Sequence, residues 1–294
     1  MKKVLSTIGK IGVSAFFLYF VFTKIAFEEV SANLKQINSF YLCLSGVFLL
    51  VSQWVSAIRL NLFFHSIDYN LSQKSNFILY LVGMFYNFFI PGGIGGDAYK
   101  VIVLKKKFEW KAKKLTGALF IDRFSGLTAI FSLLLILGYV SLSKYVETIS
   151  DSLASISLLS GLVVVFIVSK IFVFKVFPSY KKVFEKTLFL SVLVQVLQLL
   201  TVTFLVLGYG AEQFIYEYLL VFLVSVVLSI ISFAGIGVRE YVFYQSAQWL
   251  HFDQQVSVTI GLLFTCLTAI ISLGGIWYVF KKTPLEKEKI ASDN

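Results

Sequence analysis

Eight stretches of this chain contain no Asp, Glu, Lys or Arg: residues 11–23, 36–58, 75–96, 124–143, 152–169, 187–211, 218–238 and 254–280. Nothing else in the sequence restricts the fold as much. About 20 apolar residues cross a hydrocarbon core, and most of these runs approach that length. Hydrophobic residues make up 58% of the chain and charged ones only 14%, against about 25% charged in a soluble domain. The chain therefore reads as an all-α, polytopic integral membrane protein. The first run is short, but it spans if Lys24 extends its ammonium to the interface. Its basic leader also fits a secretory signal, yet no small-x-small cleavage site follows, so an uncleaved helix is the better reading. No stretch is long and polar enough for a separate soluble domain. We expect no catalytic domain and no enzyme activity here.

The net charge of +10 is uneven. Lys2, Lys3 and Lys10 precede run one. Seven lysines from Lys100 to Lys114 follow run three, five from Lys170 to Lys186 follow run five, and Lys281, Lys282, Lys287 and Lys289 close the chain. The loops at 24–35, 144–151 and 212–217 are neutral or acidic. Excess Lys and Arg mark the cytoplasmic side. These lysines border membrane runs without an interleaved aromatic-basic module, so no nucleic-acid partner is expected. Eight simple crossings would put the seven-lysine segment outside. Six spanning helices plus two re-entrant hairpins, at runs three and seven, satisfy every loop. Both termini then lie in the cytoplasm, and the inner (plasma) membrane is the expected location.

Run three ends in "FFIPGGIGGDAYK", where Pro91 and four glycines would expose backbone groups that lipid cannot satisfy. Such a break is tolerated where protein or a water-filled cavity surrounds it, as at a hairpin tip. Run seven carries a matching break in "SFAGIGVREYVF": Gly93-Ile94-Gly95 is echoed by Gly235-Ile236-Gly237, 142 residues later. Asp97 and Lys100 follow the first, Arg239 and Glu240 the second. Gln53 and Gln195 are also 142 apart. Paired breaks in two halves of opposite orientation point to a transporter-type site near the midplane. We therefore expect two inverted repeats, about 1–145 and 146–284, in one domain over 1–284, and a polar cytoplasmic tail at 285–294.

Each break starts a half-helix whose free N–H groups favour an anion such as a lipid phosphate. Gly93, Gly95, Gly96, Gly235 and Gly237 would let the backbone approach it closely. Asp97 suits ligand contact and helix capping equally, and it can pair with Lys100 at i,i+3. Arg239 and Glu240, adjacent on a helix, diverge, so at least one of them must find another partner. Asn87 is placed to bond carbonyls freed by Pro91. Arg59 either faces the cavity or snorkels to the inner interface, and its position near the end of its run favours snorkelling. Asp122 and Arg123 open run four and are consistent with its boundary. The many aromatics are expected mainly on lipid-facing and interfacial surface. Cys43 and Cys266 lie inside apolar runs and suggest neither disulfide nor metal site; His65 and His251 stand isolated. No nucleophile–base pair or phosphate-binding loop motif is present, and no cofactor is expected.

Asn87, "IPGGIGGDAYK", the Asp122-Arg123 pair and "GIGVREY" together resemble the lysylphosphatidylglycerol synthase transmembrane region, also called the flippase-like membrane domain. The resemblance covers nearly the whole chain. It implies translocation of a phospholipid, or handling of a polyprenyl-linked sugar, by Asn87, Gly93, Gly95, Gly96, Asp97, Lys100, Arg123, Gly235, Gly237, Arg239 and Glu240. In that family the domain occurs alone or fused to a synthase or glycosyltransferase domain. A separate glycosyltransferase or lipid-modifying enzyme is therefore an alternative partner, with this chain as its non-transporting anchor. The aminoacyl-transferring domain has no counterpart in these residues. Two positions depart from the family pattern, which usually has arginine at Lys100 and glutamate at Asp122. A lysine lacks the bidentate fork that clamps phosphate.

Overall fold

The computed structural model describes residues 16, 19, 27–89, 95–142, 151–229, 236–281 and 284–288. Within them run ten α-helices: α1 (Phe27–Gln36), α2 (Ser39–His65), α3 (Gln73–Phe89), α4 (Gly95–Phe108), α5 (Ala112–Leu142), α6 (Asp151–Val176), α7 (Phe184–Leu207), α8 (Ile215–Leu228), α9 (Val238–Leu250) and α10 (Gln254–Phe280). Among the described residues no strand forms, and one isolated bridge pairs Leu71 with Lys287.

Among the described residues five segments are long and apolar enough to cross a membrane: Ser39–His65, Ala112–Ser141, Ser155–Val176, Phe184–Leu207 and Gln254–Phe280. They fall on runs two, four, five, six and eight. Run one lies outside the described residues apart from the helical Phe16 and Tyr19. Runs three and seven do not form single helices. The first is divided between α3 and α4, and the second between α8 and α9. Their tips, with Pro91, Gly93 and Gly235, lie outside the described residues. Side-chain caps start two of the long helices. Asn38 accepts the Phe40 N–H at 2.9 Å, and Asp253 accepts those of Gln255 and Val256 at 2.8 Å each, satisfying donors a helix start leaves free.

Contacts between helix ends sort them onto two faces. At one, Tyr69 stacks on Trp110 at 4.5 Å and its hydroxyl accepts the Lys111 N–H. Tyr180 donates to the Lys114 carbonyl, while Ser72 N–H donates to Glu286 and Glu288 N–H to Asn70, both at 3.0 Å. This face gathers the ends of α2, α4, α6 and α10 and the starts of α3, α5 and α7, with the lysine-rich segments beside them. At the other, Asn38 N–H donates to the Gly208 carbonyl, Tyr209 donates to that of Asn33, and the Phe214 ring lies 5.4 Å from Phe252. Here α2, α8 and α10 start and α7 and α9 end, near Glu212 and Asp253. The α3–α4 pair thus begins and ends at the lysine face, and α8–α9 at the acidic one.

Helices α2 and α7 pack antiparallel, from Asn38 beside Gly208, through Phe48 against Phe204 at 5.2 Å, to Arg59 beside Ser191. α3 packs on α10, and α8 on α5. One apolar core joins α5, α7, α8, α9 and α10; a second joins the ends of α2, α3, α4 and α5 with Leu285. Exposed Leu153, Ile156, Leu159 and Val164 on α6 are the apolar surface lipid would cover.

Three expectations need correction. Phe63, Phe64, Phe184, Phe222, Phe243 and Tyr218 are fully buried, so aromatics fill core as well as surface. Run four begins inside α5, not at its edge: the helix starts at Ala112, because Leu115, Ala118, Leu119 and Ile121 already pack inward. His65 is not isolated, since Glu288 stands 3.6 Å from its Nε2.

Candidate functional site

Two groups of buried charge stand where α4 and α9 begin. At α4, Gly96 lies directly against Gly83 of α3. A Cβ there would overlap the Gly83 carbonyl oxygen and come within 2.7 Å of its carbon. The Gly96 N–H donates to Asn87 Oδ1 at 2.9 Å, closing the two helices across the gap. Asp97 accepts Arg123 Nε at 2.5 Å and faces Lys100 Nζ at 3.6 Å. Lys100 is buried and lies over the Tyr80 ring, 4.5 Å from its centroid. Behind it Arg59 grips Asp122 with two bonds, Nε to Oδ1 at 2.8 Å and Nη2 to Oδ2 at 3.1 Å. Its Nη1 donates to Ser191 on α7 at 2.9 Å, and Ser191 donates to Ser125. Counted along their helices, Arg59, Lys100 and Asp122 lie about 9, 12 and 15 Å from the helix ends at the lysine face. Arg123 differs from the rest, with a side chain 58% exposed.

At α9, Gly237 takes φ 83°, a left-handed conformation that only glycine adopts cheaply. Glu240 reaches back to accept its N–H at 2.6 Å. Thr265 of α10 donates to Glu240 Oε1 at 3.0 Å and accepts Arg239 Nη1 at 2.8 Å. The Arg239 guanidinium rests on the Phe264 ring at 4.9 Å, and its Nε has no partner among the described residues. This group sits about 16 Å from the ends of α9 and α10 at the acidic face.

The geometry revises several sequence assignments. Arg59 does not snorkel, because the Asp122 carboxylate and Ser191 hold it inward. Asn87 Oδ1 accepts the Gly96 N–H, and the surroundings of Pro91 lie outside the described residues. Gly96 is small so that α3 and α4 can touch. Arg239 and Glu240 each find another partner, and Thr265 serves both. Glu240 also resolves as a helix cap. Gly95 opens α4, while Gly93 and Gly235 lie outside the described residues. The expected residues form two groups, and no hydrogen bond or ion pair joins these among the described residues.

Sequence reasoning missed Tyr80, Ser125, Ser191, Phe264 and Thr265. A signal existed for some. Ser52, Ser56 and Arg59 on α2, and Thr187, Ser191 and Gln195 on α7, recur at helical spacing within apolar runs, which puts each set on one face. All six are buried. Phe264 and Thr265 carry no such mark.

A family model described as "Lysylphosphatidylglycerol synthase TM region" matches residues 7–275. The chain belongs to that family. No curated protein matches it. The lysylphosphatidylglycerol synthase TM region is a membrane domain linked to lipid handling, and the match takes in both buried groups. Within it, Lys100 contacts Asp97 and Tyr80 as a point charge. The two-pronged grip on a carboxylate falls to Arg59 on Asp122.

Proposed function

We propose that this protein moves a lipid, phospholipid or polyprenyl-linked sugar, between leaflets without altering it. The observation that carries the reading is the charged group at the α4 start. It lies about 12 Å inside the helix bundle, yet Arg123, 58% exposed, leaves one guanidinium open to a headgroup. Ionisable residues at membrane depth mark substrate pathways by default. An anionic headgroup crossing hydrocarbon needs such compensation, since an uncompensated charge there costs several kcal/mol. The lysine face is taken as cytoplasmic, in the inner membrane, following the charge rule.

An inverted-repeat arrangement is supported by three features. Hairpins α3–α4 and α8–α9 begin from opposite faces. α3 packs on α10 as α8 packs on α5. The antiparallel register of α2 and α7 brings Gln53 and Gln195, mid-helix in each, to one level. Purified protein in liposomes supplies the test: fluorescent phospholipid placed in the inner leaflet should become accessible to an outside quencher. No acceleration over protein-free liposomes would overturn the reading. Movement only after a glycosyltransferase is added would make the chain that enzyme's membrane partner.

A further inference from the structure

The charge balance inside the bundle bears on which headgroup fits. Around the α4 start stand three cations, Arg59, Lys100 and Arg123, and two carboxylates, Asp97 and Asp122. Arg59 occupies both oxygens of Asp122, so that pair is closed and neutral. Asp97 is left to face two cations, Arg123 at 2.5 Å and Lys100 at 3.6 Å. One carboxylate balances one of them.

Lys100 is only 5% exposed. Its ammonium has three donors, but among the described residues its partners are Asp97, beyond normal hydrogen-bond length, and the Tyr80 ring. Among the described residues no other carboxylate makes up the deficit. Glu240 is committed to Gly237 and Thr265, and Glu217, buried in the first turn of α8, lies at the acidic face. With Lys100 protonated, the described residues at the α4 start therefore hold one unit of positive charge in excess, in surroundings where an unpaired charge is costly. Arg123, 58% exposed, gives a ligand access to it.

We propose that this group selects a lipid whose headgroup carries one phosphodiester negative charge and no cation. The proposal rests on the translocation reading for the purpose of the site. A phosphodiester monoanion restores neutrality and can take the spare donors of Lys100 and Arg123 in charge-assisted bonds. A zwitterionic headgroup brings its own cation, and an aminoacylated one adds positive charge where it is already in excess. Two lipids share the required chemistry: an anionic glycerophospholipid and a polyprenyl phosphate diester of a sugar.

The test is native mass spectrometry of the purified protein in detergent with equimolar phosphatidylglycerol, polyprenyl-phosphate hexose, phosphatidylcholine and lysyl-phosphatidylglycerol. The same four, labelled, are then followed in proteoliposomes. One or both monoanions should be retained about tenfold or more over the other two, roughly 1.4 kcal/mol. The monoanion kept more strongly names the source; equal retention assigns the phosphodiester class alone. Lys100→Met and Arg123→Gln should each bring the preference down to about twofold, and Lys106→Gln should leave it intact. Arg123→Gln alters an exposed side chain, so it decides the matter even if Lys100→Met misfolds. Equal retention of all four lipids, or a preference that survives both variants, overturns the proposal. Selective retention without movement overturns translocation and keeps the charge selectivity; movement without selectivity does the reverse.

Discussion

Asp122 is worth most to the protein as half of a pair. Its two oxygens are both taken by Arg59, and both residues are buried. Asp122→Asn strands a guanidinium among apolar helices, which typically costs about 3–5 kcal/mol. Replacing both partners, Arg59→Met with Asp122→Leu, removes the stranded charge and should recover most of that loss. Unfolding titrations of the single and double variants measure the difference; equal losses would mean that the pair is not coupled. Gly237 makes a separate demand. At φ 83° and ψ −48° any side chain adds strain of about 1–3 kcal/mol. Gly237→Ala should thus lower stability by that amount while Gly138→Ala, where an added Cβ meets nothing within 4 Å, does not.

Between α3 and α4 the fit is set by absent side chains. A Cβ on Gly96 collides with backbone of Gly83, and one on Gly83 meets Lys100 Cε at 2.6 Å. The two collisions should have different outcomes. Gly96→Ala pushes backbone against backbone, so α3 and α4 must separate and the Asn87 bond to Gly96 must lengthen. Gly83→Ala meets only the flexible end of Lys100 and should displace its ammonium while the helices stay packed. Thermal unfolding should fall more for Gly96→Ala, whereas lipid movement should fall for both. A Gly83→Ala protein with full activity would remove Lys100 from the pathway. The sequence disclosed that runs three and seven break, since Pro91 and the glycines cannot continue a lipid-exposed helix. It disclosed Asp97 and Lys100 as a pair from their i,i+3 spacing. It did not disclose Arg59 with Asp122 or Thr265 with Glu240, because pairs from distant segments depend on which helix faces which. Local spacing carries none of that information.

At the scale of the molecule, the two faces give a direct test. With Cys43 and Cys266, both free and exposed, first replaced by Ser, single cysteines at Phe108 and Lys182 should react with an impermeant thiol reagent from one side. A cysteine at Glu212 should react from the other. Labelling of Phe108 and Lys182 from opposite sides is incompatible with the arrangement of helix ends described above.

The short backbone pairing of 284–288 with the α2–α3 connection also has a consequence in time. Glu286 N–H donates to Ser75 Oγ at 2.7 Å, and Leu285 completes the apolar core beside α3. These residues leave the ribosome more than 200 positions after Ser75, long after α3 is made. Contacts so distant in sequence form late, so until then the start of α3 waits with its last polar partners unfilled. A chain ended after Lys281 should insert normally but remain in that waiting state. Its amides at 71–76 should exchange hydrogen faster than in the longer chain, while those of α7 are unchanged. Equal exchange would mean that α3 sets without residues 284–288, and that their pairing with it is an ornament rather than a fastening.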